Sequence, residues 1–411
     1  MVTTNHHSSN GTKPVGVNTG RYAHIVGWGM AVPEKVLSND DLAAIVETND
    51  EWIVARTGIK ERRIASERET TATLGLKAAQ NALEVADMLP TELDLIICAT
   101  STPEYVFPST ASLIQSWLGA GHAGAFDLSA ACSGFVYGVN MAAQAIRSGS
   151  IETALVLGAE TMSRVMDWTD RSTCILFGDG AGAVVLRASD VEGGVLSAVL
   201  RSDGSGADLL TIPSFGSNDV NNVPLLPLDH QMGKMYMAGS EVFKFATRVI
   251  SESIPEALHM AGVEMKDLKL IVPHQANARI LQAAARSLKL DENLFMTNVD
   301  RYGNTSAASI PIALCEAIAQ GRVQKDDHIA FVGFGGGLTW AAMVVKWGVP
   351  EQAERTALFN RQRRQIGYTI ADWRNRLLRT SRQVNDTVQR VRPKRGKMDR
   401  LRRKIERHPF D

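Results

Sequence analysis

The chain has 411 residues, 45% of them hydrophobic and 34 of them glycine, and its 44 basic and 44 acidic side chains cancel. That composition belongs to a tightly turned globular protein with one large core or two fused ones, and it excludes disordered, collagenous and disulfide-rich chains. The zero balance hides an asymmetry: residues 351–411 hold 18 Lys and Arg against 7 Asp and Glu, so a tail of net +11 follows a body of net −11.

Residues 1–20 are polar and rich in Gly, Ser and Asn, with no apolar h-region, and read as a disordered lead rather than a signal peptide. From Arg21 short β-branched runs alternate with longer stretches of helical period, the pattern of an α/β protein. Strands are expected at His24 to Trp28, Leu93 to Ala99, Glu152 to Leu157, Ala181 to Leu186, Gly194 to Leu200, Leu268 to Pro273, His328 to Gly333 and Leu338 to Trp347. Helices are expected at Thr71 to Ala86, Ser133 to Ser148, Ser240 to Ala261, Ala278 to Leu288 and Ser306 to Gln320. No apolar run approaches the ~18 residues that span a bilayer.

The four cysteines, Cys98, Cys132, Cys174 and Cys315, show neither CxxC nor metal spacing, which suits a reducing cytoplasm. Three sit in apolar runs and read as small core hydrophobes. Cys132 differs. It lies in Leu128-Ser-Ala-Ala-Cys132-Ser-Gly-Phe-Val-Tyr-Gly138, after a strand-like segment, and Phe135, Val139, Ala142, Ala145 and Ile146 then follow at helical spacing. A cysteine in the first turn of a helix meets unpaired N–H groups and the positive dipole end, which favour the nucleophilic thiolate, while small neighbours admit a substrate carbonyl. The competing reading is a buried structural cysteine.

The two halves echo each other. Asp94-Leu-Ile-Ile-Cys-Ala-Thr100 leads to Cys132, and Leu268-Lys-Leu-Ile-Val-Pro-His274 leads to Asn304. The Gly-rich hairpin from Gly178 to Leu186 matches Gly333 to Trp340 and the strand after it. A duplication of this kind would place Cys132 and Asn304 at equivalent positions across a pseudo-dyad. Neither Gly-rich stretch fits a P-loop or dinucleotide fingerprint, so both read as close backbone approaches. His274, at a strand end before a helix, can point into a cleft or serve as a cap or core group. Asn304, before another helix, can be a donor or an N-cap. A cysteine nucleophile with His and Asn donors suggests acyl-thioester chemistry.

Six motifs taken together resemble β-ketoacyl-acyl carrier protein synthase III, an initiating condensing enzyme of the thiolase-like superfamily. They are Asn49-Asp-Glu-Trp52-Ile-Val-Ala-Arg56-Thr-Gly-Ile59, the Cys132 segment, Asp170-Arg171 with Phe177-Gly-Asp-Gly-Ala-Gly182, His274-Gln-Ala-Asn277, Gly303-Asn-Thr-Ser-Ala-Ala-Ser309 and Gly333-Phe-Gly-Gly-Gly-Leu-Thr-Trp340. The resemblance covers about residues 21–349. It implies a duplicated five-layer α-β-α-β-α fold, with an N-terminal half at 21–195 and a C-terminal half at 196–349, and a homodimer. It further implies that Cys132 is acylated by an acyl-CoA, that His274 and Asn304 stabilise the enolate from malonyl-acyl carrier protein, and that the N–H groups of Cys132 and Gly336 form an oxyanion hole. Thr48, Trp52, Arg56, Arg171 and Asn277 then match the CoA site, with Trp52 and Arg171 on the two faces of adenine. Arg279 matches the carrier-protein docking residue. Phe107 matches the aromatic that caps the acyl pocket from the partner subunit and leans towards an acetyl-sized primer. No cofactor or metal is implied, since acyl-CoA is a substrate. A related Cys-dependent acyltransferase or a secondary-metabolite ketosynthase is the enzymatic alternative. A thiolase is disfavoured because Asn304 stands where a second cysteine motif is expected.

The tail, residues 350–411, lies outside the resemblance. Ile366, Ile370, Trp373, Leu377, Val384, Val388 and Val391 form a near-heptad stripe among arginines, Pro393 should end the helix, and Arg392 to Arg407 is almost continuously basic. It reads as an amphipathic helix on an anionic membrane, as a helix that pairs with itself or a partner protein, or as a solvated appendage that attracts carrier protein. A tail-mediated scaffold of a lipid-synthesis complex is the reading of another class. Nothing supplies base readout for nucleic acid.

Overall fold

The computed structural model describes residues 20–213, 231–348 and 357–391; the polar lead before residue 20 and the basic cluster Arg392 to Arg407 lie outside the described residues. Two sheets carry the body. The first contains β1 (Tyr22–Ala31), β2 (Leu95–Ala99), β3 (Gly124–Leu128), β4 (Thr153–Thr161) and β5 (Asp179–Ser189), in the order β1-β5-β4-β2-β3. Its β4–β2 and β2–β3 pairs are parallel, whereas β5 is antiparallel to both neighbours. The second contains β6 (Gly194–Ser202), β7 (Leu268–Pro273), β8 (His328–Gly335) and β9 (Thr339–Lys346), in the order β7-β8-β9-β6. Only β7 and β8 are parallel there, and Phe295 adds an isolated bridge on the outer side of β7.

The helices of eight residues or more are α1 (Asp50–Thr57), α2 (Thr71–Val85), α3 (Thr110–Leu118), α4 (Gly134–Arg147), α5 (Gly239–Ala261), α6 (Ala278–Leu288), α7 (Ser309–Ala319) and α8 (Ala357–Val391). Helices α4 and α7 fill the space between the sheets, where Phe135, Val139 and Ile146 meet Val156, Leu314 and Phe331 in one core. The outer face of the first sheet is covered by α2 and α3, and that of the second by α5 and α6. The result is α-β-α-β-α, as expected. Sandwiched strands lose the alternation of a half-exposed sheet: all nine residues of β4 are buried. Gly158 interrupts that strand because a Cβ there would lie 2.0 Å from the Ala307 carbonyl oxygen.

The two sheets differ by one strand, five against four, but the turns before their central helices correspond, and the expected equivalence of Cys132 and Asn304 does not hold. Each half has a short 3-10 turn before its central helix, Ala131–Ser133 before α4 and Ser306–Ala308 before α7. Ala131 (φ 46°) and Ser306 (φ 49°) mark the same left-handed point in the two turns. Cys132 therefore corresponds to Ala307, and Asn304 sits earlier, on the approach loop, where it bridges Phe177. The Gly178 stretch is also not a hairpin: it opens straight into β5, whereas Gly333 to Trp340 does turn between β8 and β9.

The tail helix is present, but its apolar stripe is not the face that packs. Helix α8 lies against α3 and the end of α2 through Asn360, Arg364, Tyr368, Ala371 and Asn375. Arg364 pairs with Asp87 at 2.9 Å, both nearly buried, and Asn375 exchanges hydrogen bonds with Ser116. Ile366, Ile370, Trp373, Leu377 and Val384 remain exposed.

Candidate active site

Cys132 is placed where β3 ends against the hairpin of the second sheet. A Cβ on Gly335 would lie 2.7 Å from the Cys132 nitrogen, so the close approach of the two backbones requires glycine there. Ser133 locks the turn by donating to the Ala130 carbonyl at 2.8 Å and contacting the Thr339 hydroxyl at 2.9 Å. The Cys132 thiol lies 3.5 Å from the Ser306 hydroxyl, which donates to Glu160 Oε1 at 2.9 Å. Burial pushes the thiol up to about 12; the Ser306 hydrogen bond pulls it down, and the Glu160 charge adds to the rise. Desolvation opposes the expected thiolate preference at a helix start. Cys132 lies in the 3-10 turn, ahead of the α-helical ladder that begins at Gly134, and desolvation dominates.

His274 follows Pro273 at the end of β7, and its N–H donates to the Val332 carbonyl at 2.8 Å. Burial drives its imidazole down to about 3, so the ring is neutral. Nδ1 lies 2.6 Å from the Ser309 hydroxyl, and the ring packs edge-on against Phe334. The same hydroxyl lies 2.8 Å from the Ser306 carbonyl, so its one hydrogen serves either that oxygen or Nδ1; in the tautomer where it goes to Nδ1, Nε2 carries the ring proton and can donate to a ligand in the cavity. Asn304 is fixed by its backbone N–H to Leu176 and by its side-chain Oδ1, which accepts from the Ser306 N–H at 2.8 Å. That bond orients the amide so that Nδ2 is its donor end. Asn304 is not the N-cap of a regular helix; its side chain braces the Ser306 turn.

Cys132, His274, Asn304 and Gly336 all line one cavity of about 810 Å³. A second hollow of about 560 Å³ is lined by Trp52, Arg56, Arg171, Asn277 and Arg279. The two share Leu176, Met237, Gly239, Phe243 and Asn277, which makes a continuous route from the surface to the cysteine. At the outer end the Arg171 and Arg56 guanidiniums lie 5.1 and 5.4 Å from the Trp52 ring centre. Arg279 sits over Phe243. Asn277 caps α6 through Oδ1 and donates Nδ2 to the Arg56 carbonyl, which leaves one amide hydrogen.

Two of the sequence-expected residues stand apart. Thr48 lines neither hollow, although its hydroxyl is buried without a partner. Phe107 is 85% exposed and lines neither, whereas its neighbours Tyr105 and Val106 do reach the cavity.

The sequence reading missed Glu160, Ser306 and Ser309. Glu160 is fully buried at the end of β4 and accepts from Ser101, Thr102 and Ser306; burial raises its pKa, and those donors oppose the rise. An acid closing an otherwise apolar strand, Ala-Leu-Val-Leu-Gly-Ala-Glu160, was the available signal.

Two family profiles match the chain: 3-oxoacyl-[acyl-carrier-protein (ACP)] synthase III over residues 126–204, and its C-terminal counterpart over residues 258–347. The chain is 50% identical over 328 residues to the beta-ketoacyl-[acyl-carrier-protein] synthase III of Roseiflexus sp. (strain RS-1), covering 79% of this chain and 98% of that protein. It is 52% identical over 323 residues to the protein of the same name from Desulfitobacterium hafniense (strain DSM 10664 / DCB-2), covering 79% and 97%. Among solved structures, 3-oxoacyl-[acyl-carrier-protein] synthase III from Aquifex aeolicus VF5 superposes with a TM-score of 0.73 at 47% identity, covering 79% of this chain and all of that one.

Proposed function

This chain belongs to the 3-oxoacyl-[acyl-carrier-protein] synthase III family, and from that premise we propose how its residues carry out the initiating condensation of an acyl-CoA with malonyl-acyl carrier protein. The observation that carries the reading is the meeting of Cys132, His274 and Asn304 in one cavity at the inner end of a surface route.

Acyl-CoA enters past Trp52, with Arg56, Arg171 and Arg279 at the mouth as counter-charges for phosphates and for an acidic carrier protein. A base stacked on Trp52 takes the ring face that Arg171 covers in the free protein, so the guanidinium swings outward to close over it. The Cys132 sulfur attacks the thioester carbonyl, the carbonyl–sulfur bond to CoA breaks, and the thiol proton ends on the departing CoA sulfur, leaving a new thioester on Cys132. The oxyanion formed on the way sits on the N–H groups of Cys132 and Gly336. Malonyl-acyl carrier protein then places its thioester oxygen against His274 Nε2–H and Asn304 Nδ2–H. As the carboxylate leaves as CO₂, its bonding pair becomes an enolate held by these two neutral donors. The carbanion attacks acyl-Cys132, sulfur departs, and 3-ketoacyl-acyl carrier protein is released. A neutral imidazole suits this role, because it donates without having to surrender a proton. The chemistry asks for no cofactor; acyl-CoA is consumed as substrate.

A homodimer fits two features. Strand β3 is an edge of the first sheet with Phe126 exposed, and Tyr105, Val106 and Phe107 form an exposed apolar loop beside it. A second copy covering them would bring Phe107 to the partner's acyl pocket and favour a short primer. Four free cysteines suit a cytoplasmic location. Incubation with acetyl-CoA, proteolysis and mass spectrometry test the first step: acetyl is expected on the peptide bearing Cys132, and acetylation elsewhere would overturn the assignment.

A further inference from the structure

Helix α8 has two faces with different fates. At 3.6 residues per turn, Asn360, Arg364, Tyr368, Ala371 and Asn375 share the side that packs on the body. Ile366, Ile370, Trp373, Leu377 and Val384 fall within roughly 60° of one another on the other side, about 150° around the axis from the first group. They are 54–64% exposed, and the strip they form is roughly 27 Å long. An apolar strip of that length, tryptophan included, is more than a monomer normally leaves to water.

What surrounds the strip identifies its occupant. Arg363 and Arg374 border it on one side and Arg376, paired with Asp372, on the other. Between residues 357 and 391 there are eight arginines and two aspartates, and Arg392 to Arg407 continues the basic run. A second copy of the helix laid on the strip would set arginine flank against arginine flank. An anionic lipid surface answers both features at once: acyl chains for the strip, and headgroups for arginines whose stems lie along its edge. The helix is too polar to cross a bilayer, and no described helix is long and apolar enough to do so. The body carries net −11, so its own charge would keep it off such a surface. The Arg364–Asp87 pair and the Asn375–Ser116 contacts hold α8 to the body on the face away from the strip, so strip and body can be occupied together.

We propose that α8 is an in-plane anchor that seats this enzyme on a membrane surface bearing anionic headgroups, with the strip Ile366–Ile370–Trp373–Leu377–Val384 in the lipid. This inference does not depend on the catalytic assignment. It is tested by flotation of the full-length protein with vesicles of phosphatidylcholine alone or mixed with phosphatidylglycerol. The protein should float with the anionic vesicles, and the bound fraction should drop in high salt and with phosphatidylcholine alone. The Ile370→Glu/Leu377→Glu variant should lose at least about tenfold in bound fraction at unchanged melting temperature and condensation rate. Trp373 emission, taken as the difference between wild type and Trp373→Phe, should shift to the blue on anionic vesicles. Equal flotation of wild type and the double variant would overturn the proposal, because the basic charge alone would then suffice. So would absence of flotation, or a strip-dependent tetramer or carrier-protein complex formed without vesicles.

Discussion

Replacing Glu160 by Gln probes the charge beside the nucleophile. The carboxylate is fully buried and accepts from Ser101, Thr102 and Ser306, with Thr100 at 3.3 Å. Hydroxyls can reverse and accept from an amide, but the Ser101 N–H cannot, and it contacts both carboxylate oxygens at 3.0 and 3.1 Å. One buried donor is therefore left weakened, at a cost of about 1–3 kcal/mol of stability. The second effect is electrostatic. Through Ser306 the carboxylate lies no more than about 6.4 Å from the Cys132 sulfur, the 3.5 and 2.9 Å contacts laid end to end. At an effective dielectric of about 20 that is roughly 2.6 kcal/mol against the thiolate. Removing the charge should therefore speed alkylation of Cys132 by iodoacetamide, at fixed pH near 8, by about five- to eighty-fold. The lower figure allows for a looser Ser306 contact, which by itself disfavours the thiolate. Thermal melting and the alkylation rate, followed by mass of the Cys132 peptide, measure the two effects. Slower alkylation in Glu160→Gln would refute the reasoning and make Glu160 a base for the thiol.

Asn304→Ala and His274→Ala each remove one donor from the proposed enolate site; decarboxylation of malonyl-acyl carrier protein should fall about 10²- to 10³-fold while Cys132 still accepts acetyl from acetyl-CoA. Loss of acylation to the same degree would move these residues to the first half-reaction. The His274 value of about 3 is depressed, so the ring is neutral at every pH above it, and the decarboxylation rate should be level from pH 5 to 8. A break near 6.5 would show an ordinary, titrating imidazole. Trp52→Ala should raise KM for acyl-CoA with kcat little changed, because the ring touches no reacting atom. Asp87→Ala strips Arg364 of its buried partner at a cost of about 3 kcal/mol to the docking of α8. Trypsin should then cut between Arg361 and Arg382 faster than in wild type while the body keeps its melting temperature.

The sheets and the central helices were legible because their periods are strong. Strand Leu268–Pro273 and helix Ala278–Leu288 fall on the expected residues, and β4 and β5 merely extend further than their apolar runs suggested. Helix α3 was not anticipated: it is short, opens on Ser109 and Thr110, and owes its start to Asp127, whose carboxylate accepts from the Thr110 and Ala111 N–H groups. That partner comes from another strand, which no local window can see. Cys132, His274 and Asn304 were legible as motif residues, but the shifts of the Cys132 thiol and the His274 imidazole were not, because burial in the folded molecule sets them. The misassigned pseudo-dyad partner has a similar cause: a similar spacing from strand to turn suggested Asn304, while the left-handed residues Ala131 and Ser306 fix the register three residues later, at Ala307. In the tail the stripe was visible, but not which side of it would meet the body. Arg364 and Ala371, both buried, look from the sequence like solvent-facing positions.

The most direct test is the condensation itself. Radiolabelled acetyl-CoA and longer or branched acyl-CoAs are offered with malonyl-acyl carrier protein to wild type and to Cys132→Ala. Labelled 3-ketoacyl-acyl carrier protein from wild type, absent with Cys132→Ala, is the result the cavity predicts. Acyl-enzyme that forms without ketoacyl product would contradict it and leave a transferase on the same fold.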